Sequence, residues 1–253
     1  MRSLLNIILL NRFIIKLRNL INLRPVPIDT ISYSSKYSLS DAFIWRTDSS
    51  YVTIFKFTNI SKIYFSVESS LEIIFFSNNG SVIKKHSLKM SKLSSQLIID
   101  KDFMNGVCGY GYFLVFSNFS QMIKSTIRNS YYAGYSYKGS PFSLIHGNLP
   151  IAAKKFNNDK ISMNILGFSF KKLSYVIQFN YDNSFDYSEL FIINPSHRKI
   201  RFTVNNIDYR LGAASCMLLD ITNFKKVIIR SNFYFFRPMT INYKNNYIDV
   251  FHN

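Results

Sequence analysis

The chain has 253 residues, is 47% hydrophobic and carries 24 Phe, 17 Tyr and a formal net charge of +17. Enough apolar mass is present to bury a sizeable core, which excludes an intrinsically disordered chain. The basic excess favours anionic partners such as a membrane surface, a nucleic acid or an acidic glycan. It is also what an Asn-, Lys-, Ile-, Phe- and Tyr-rich composition gives when the lysines are simply solvated.

Residues 1–28 hold five basic and no acidic side chains. Ile7, Leu10, Ile14, Leu17 and Ile21 fall on one helical stripe, with Arg12, Lys16 and Arg18 off it. Pro25 and Pro27 end the pattern. The longest charge-free run, 3–11, is too short to span a bilayer. No small-residue cleavage site follows, so this is not read as a signal peptide. The segment predicts a basic amphipathic helix. It lies on a membrane surface or docks on the body of the chain or a partner. The expected location is cytoplasmic or peripheral to a membrane.

From about residue 51 the pattern is strand after strand. "YVTIFKFTN" alternates, "LEIIFF" is a buried run, and "SNNGS" (77–81) is a hairpin turn. "VIKKHSLKM", "SSQLIID" and "GYGYFLVFSNF" follow with turn signals between them. Short strands at this spacing predict a β-sandwich. Residues 160–181 read as further strand with a basic turn at Lys171–Lys172.

The order then repeats. "SELFIIN" (188–194) matches "TIFKFTN" (53–59), and "KIRFTVNN" (199–206) matches "EIIFFSNN" (72–79). "LGAASCMLLD" (211–220) matches "LSSQLIID" (93–100), and "VIIRSNF" (227–233) matches "FLVFSNF" (113–119). Last, "YKGSPFSLIH" (137–146) matches "YKNNYIDVFH" (243–252). The expected architecture is all-β: a basic helix over 1–28 and two related β-sandwich units, 29–150 and 151–253, tandem or pseudo-symmetric.

Enzymatic motifs are missing. There is no G-x-G-x-x-G, Walker loop, G-x-S-x-G or H-E-x-x-H, and no carboxylate pair stands out for acid/base work. Nor is there zinc-finger spacing or an RNA-recognition signature, so no specific nucleic-acid module is expected. Cys108 and Cys216 form no metal-ligand spacing, and each reads as a buried thiol.

Three groups of residues could still form a site. His146 and His252 recur in the repeat, with Asp249 three residues before the second. If the two copies face each other, this set would suffice for a divalent metal, or an imidazole could act as a general base. Otherwise each His caps its strand. "DAFIWRTD" (41–48) holds the only Trp, Trp45, beside Arg46. Together they could stack on a sugar and pair with an anion, or plug a sandwich end with Arg46 held by Asp41 or Asp48. "IRNSYYAGYSYKG" (127–139) interleaves Arg128, Tyr131, Tyr135, Tyr137 and Lys138. It reads either as a stacking platform or as a strand packing its partner sheet. Arg237, Tyr243 and Lys244 of the second copy complete the candidate ligand set. The expected function is therefore a non-catalytic binding protein for a glycan or other anionic ligand, in possible peripheral contact with a membrane, and requiring no cofactor. A metal- or His-dependent enzyme and a structural or assembly protein are the alternatives.

Overall fold

A computed structural model describes residues 37–120, 131–147, 152–155, 161–163, 175–180, 184–194, 199–232 and 237–252, together with the helical positions Ile14 and Leu17. Apart from those two positions, the expected helix over 1–28 lies outside the described residues, as does Arg128.

The regular structure of the described chain is nearly all β. β1 (Tyr37–Ser40), β2 (Ala42–Arg46) and β3 (Tyr51–Thr58) lead to a short helix, α1 (Ile60–Phe65). β4 (Ser69–Ser77), β5 (Val82–Lys89), β6 (Ser94–Ile99), β7 (Tyr110–Phe119), β8 (Tyr131–Tyr137) and β9 (Ser143–His146) follow. After β10 (Ala152–Lys155) and β11 (Ile161–Met163) come β12 (Tyr175–Asn180), β13 (Tyr187–Ile193), β14 (Ile200–Val204) and β15 (Ile207–Leu211). The last are β16 (Cys216–Asp220), β17 (Lys226–Ser231), β18 (Met239–Lys244) and β19 (Tyr247–His252).

These strands form four four-stranded antiparallel sheets and one small three-stranded sheet, β1-β10-β11. The first pair runs β2-β7-β4-β5 and β6-β3-β8-β9. The second pair runs β12-β17-β14-β15 and β16-β13-β18-β19. Adding ten to each strand number of the first pair gives the second. Every sequence match above falls on equivalent strands: β3 with β13, β4 with β14, β6 with β16, β7 with β17, and the closing hairpins with each other.

Within the first set, alternation turns one face of each sheet inward. Phe43, Phe113 and Phe75 lie in register across β2, β7 and β4. Phe113 stacks on Phe43 at 5.2 Å and meets Phe55 of the opposite sheet edge-on at 5.3 Å. Phe55 in turn meets Tyr131 at 5.4 Å. β1 diverges into the small sheet, yet it still serves β7. The Ser40 and Ser38 hydroxyl oxygens accept from the backbone N–H groups of Val115 and Ser117, at 2.6 and 2.8 Å. Those are edge donors beyond the reach of the β2 pairing, which stops at Leu114.

The sheet β16-β13-β18-β19 is apolar on both faces. Leu190 and Ile192 join a core with Ile200, Phe202, Val204 and Ile229 of the sheet β12-β17-β14-β15. Phe191, Ile193, Met239, Ile241 and Val250 turn the other way, into the core of the first strand set. "LFII" is a continuous apolar run because both sides of β13 are covered.

Equivalent asparagines brace each set. The Asn59 N–H donates to the Leu93 carbonyl at 2.7 Å, and its side-chain amide donates to the Met90 carbonyl at 3.0 Å. The Asn194 N–H donates to the Ser215 carbonyl at 2.8 Å, and its amide donates to the Leu211 and Gly212 carbonyls. Each Asn thus ties the end of β3 or β13 to the connection entering β6 or β16.

The hairpin turn "SNNG" also holds the two strand sets together. Gly80 has φ +88°, and a Cβ there would lie 2.7 Å from the Ala214 carbonyl oxygen. Nearby, the Cys216 N–H donates to the Asn78 carbonyl at 2.9 Å, and the Tyr112 hydroxyl donates to the Ala214 carbonyl at 2.8 Å. Gly106 has φ +81° with open space around it. Gly80→Ala should therefore cost about 2–3 kcal/mol in urea unfolding, against about 1 kcal/mol for Gly106→Ala, where only backbone strain acts. Equal losses would show that the turn does not press on Ala214.

Candidate functional site

Arg46 ends β2, and the turn that follows contains Ser49 and Ser50 at φ 47° and 68°. That turn returns Asp48 toward Arg46, with the Tyr51 N–H donating to the Asp48 carbonyl at 2.8 Å. The guanidinium is 4% exposed. It holds Asp48 through two bonds, Nε to Oδ1 at 2.9 Å and Nη2 to Oδ2 at 2.7 Å. Nη1 reaches the second strand set, donating to Glu189 Oε2 at 2.5 Å and to the Tyr243 hydroxyl at 3.0 Å. The plane rests on the Tyr51 ring, 3.9 Å from its centroid.

Strand geometry places the partners. Tyr187 and Glu189 are two residues apart on β13 and share a face, and Tyr187 lies across from Tyr243 of β18. Tyr243 donates to Glu189 and bonds Tyr51 hydroxyl to hydroxyl. Tyr137 sits 5.5 Å from Tyr243 and 5.1 Å from Tyr51, while Tyr187 lies 5.2 Å from Tyr243. The tyrosines matched by the repeat, Tyr137 and Tyr243, thus touch each other. At the rim, Lys138 lies 5.0 Å from the Tyr137 ring centroid. Lys244 pairs with Asp186 at 3.1 Å, both exposed.

Charge and protonation are settled by this packing. Burial opposes the Arg46 charge, but the bonds to Asp48 and the fields of its other partners, Glu189 among them, outweigh it and hold the pKa above its ordinary value. Burial pushes the Tyr51 and Tyr243 hydroxyls up, so both stay protonated as donors. Three guanidinium bonds engage the two carboxylates and a fourth goes to the Tyr243 hydroxyl. The arrangement pairs a buried cation with two carboxylates.

The other expected site residues are placed as follows. Trp45 is buried, contrary to a sugar-stacking role. It lies in register with Gly111, where a Cβ would meet the indole at 2.7 Å, and Nε1 donates to the Phe76 carbonyl at 2.8 Å. The missing Gly side chain makes the Trp slot. Tyr131 and Tyr135 are buried as well, bonding Ser117 and the Ile44 carbonyl, so the expected platform is core. Even spacing put 131, 133, 135 and 137 on one face of β8, and that face is the inner one. Arg237 is partly buried just before β18. Cys216 is buried but Cys108 is exposed, because it falls in the connection entering β7 rather than in the strand.

The closing hairpins lie against each other, with β19 beside β8 and β9. His252 Nε2 donates to the His146 carbonyl at 3.0 Å, and the Val250 N–H donates to Ser143 Oγ at 3.0 Å. The metal set does not assemble. His146 packs on Tyr132, ring centroids 4.1 Å apart. Asp249 is exposed, and three residues along a strand put it on the face opposite His252. Among the described residues no group of three His, Cys, Asp or Glu is placed to hold a metal.

Sequence reading did not single out Tyr51, Tyr187 or Glu189. Glu189 carried a signal, as the one acid in the apolar run "SELFIIN". No family model matches the chain, and neither a curated protein nor a solved structure does.

Arg46→Met should lower unfolding free energy by about 3–5 kcal/mol, because it strands Asp48 and Glu189. Glu189→Gln, which keeps an acceptor for Nη1, should cost about 1–3 kcal/mol. Urea titrations check the order, and no loss in Glu189→Gln would mean that the ion pair across the two sets adds nothing.

His252 gives a pH signature. Burial first, then the neighbouring charges of Arg237 and His146, push its pKa down from 6.5 to about 4. The unfolded chain therefore binds more protons between these values. The contribution to stability is complete above pH 6.5 and is lost as pH falls toward 4. His252→Gln keeps a donor for the His146 carbonyl and should flatten the urea midpoint across that window. Parallel wild-type and variant profiles would contradict it.

Proposed function

We propose that this protein is a non-catalytic structural module built from two related β-sandwiches, residues 29–150 and 151–253, and that it acts as a building block in an assembly. The observation that carries this reading is the use made of the candidate ligand residues. Trp45, Arg46, Tyr131, Tyr135 and Tyr243 are buried in the core or in the seam between the two strand sets. What the chain offers to partners is its outer surface.

The strand order supports it. β2-β7-β4-β5 and β6-β3-β8-β9 follow the neighbour order of a jelly roll, with the last strand, β9, in the outer position that a first strand would take. β12–β19 repeat that order. A jelly roll is a scaffold that makes contacts through loops and outer faces. Tyr247 and Phe251 are exposed on β19, on a face that a neighbour could cover.

A second reading is favoured by Lys138 and Lys244. They are equivalent in the repeat, and both are exposed beside Tyr137 and Tyr187 at the mouth of the seam. Both belong to the expected glycan or anion site.

Sedimentation velocity over a wide concentration range separates the two. The building-block reading expects reversible self-association that Tyr247→Ser with Phe251→Ser weakens. A monomer throughout, combined with salt-sensitive binding to an acidic glycan lost in Lys138→Gln with Lys244→Gln, would replace it with the second reading.

A further inference from the structure

The connection from β3 to β4 carries a feature that the fold does not require. α1 has six residues, and three consecutive large apolar side chains on it face solvent. Ile63 is 44% exposed, Tyr64 72% and Phe65 41%. Leu93, whose carbonyl accepts from the Asn59 N–H at the start of α1, is 56% exposed. The equivalent connection of the second copy, between Asn194 and Ile200, reads "PSHRK" and has no large apolar residue. The first copy is longer here, and its extra residues put apolar surface into water.

The tip is held out by design of its base. Asn59 Oδ1 accepts from the Lys62 N–H at 3.1 Å, from Ser61 Oγ at 2.8 Å and from Ser69 Oγ at 3.1 Å. Ser66 closes the helix in the left-handed conformation at φ 52°, its N–H donating to the Lys62 carbonyl at 3.2 Å. The Val67 N–H donates to the Ser61 carbonyl at 3.2 Å, and Val67 is buried. Both ends of α1 are thus anchored, with Ile63, Tyr64 and Phe65 between them.

Charge around the tip identifies its partner. Lys62 is on α1 itself, Lys89 ends β5 opposite Ser70, and Lys92 precedes Leu93. The nearby acid is Glu68, which Lys62 holds at 3.1 Å. Exposed apolar residues that include a Tyr, with lysines on α1 and on the adjoining β5–β6 connection, match an anionic lipid surface, where acyl chains take the apolar groups and headgroups meet the ammonium groups.

We propose that the α1 tip, Ile63–Tyr64–Phe65 with Leu93, inserts into the interface of an anionic lipid bilayer and that Lys62, Lys89 and Lys92 contact its headgroups.

The test is co-sedimentation of the full chain with vesicles of phosphatidylserine and phosphatidylcholine, compared with phosphatidylcholine alone. Wild type should bind the mixed vesicles and bind the neutral ones more weakly. Ile63→Ser, Tyr64→Ser and Phe65→Ser together should weaken binding at least about tenfold. Lys62→Gln, Lys89→Gln and Lys92→Gln should each weaken it about fivefold on the mixed vesicles alone. Residues 1–28 are present in every variant, so these differences report the tip. The lysine variants decide the matter if the serine variant fails to fold. No binding by wild type, unchanged binding by the lysine variants, or unchanged binding by a folded serine variant would overturn the proposal. So would loss of self-association in the serine variant with vesicle binding intact, which would make a second copy the occupant.

Discussion

The structure depends on where one guanidinium sits. Arg46 is almost fully buried, and a charge removed from water must be repaid by partners in good geometry. Asp48 comes from the same strand set, through a tight turn. Glu189 and Tyr243 come from the other set, more than a hundred residues away. Two of the four guanidinium bonds therefore form only when both sets are folded and docked. That makes the seam an obligation of the fold rather than an accessory contact.

The apolar half of the same constraint lies in the sheet β16-β13-β18-β19. It covers the second core with one face and the first core with the other. Without the first strand set, Phe191, Ile193, Met239 and Ile241 would face water, a patch too large for a free-standing domain to leave exposed. The two copies thus kept a common strand order while diverging where they meet. Asn59 and Asn194 do the same bracing work in both. Gly80 and Ala214 are complementary rather than alike, as are Ser143 and the Val250 N–H.

Much of this was legible in the sequence, and the limits have physical causes. The ordered matches located equivalent strands because strand identity is carried by short apolar runs and the turns that bound them. Whether the Tyr-Lys…His hairpins meet did not follow from those matches, because two copies of a unit can stand in tandem or face each other. The metal set failed on parity: Asp249 and His252 are three apart, which is one face on a helix and opposite faces on a strand. Tyr131 and Tyr135 could be read as a binding platform or as core because an aromatic stripe has the same period whether it faces solvent or core. Only the neighbouring sheet decides which, and its register is not local information. Glu189 was missed because its partner lies far off in the chain, although an acid inside "SELFIIN" implies a buried cation somewhere.

The central claim is that the two strand sets form one cooperative body through Arg46 and the two-faced sheet. Native-state hydrogen exchange across a denaturant series tests it most directly. The account predicts that amides of β13 and β18 merge with those of β3 and β8 at a single global opening free energy. Exchange of β13 and β18 at markedly lower denaturant, while β3 and β8 stay protected, would contradict it.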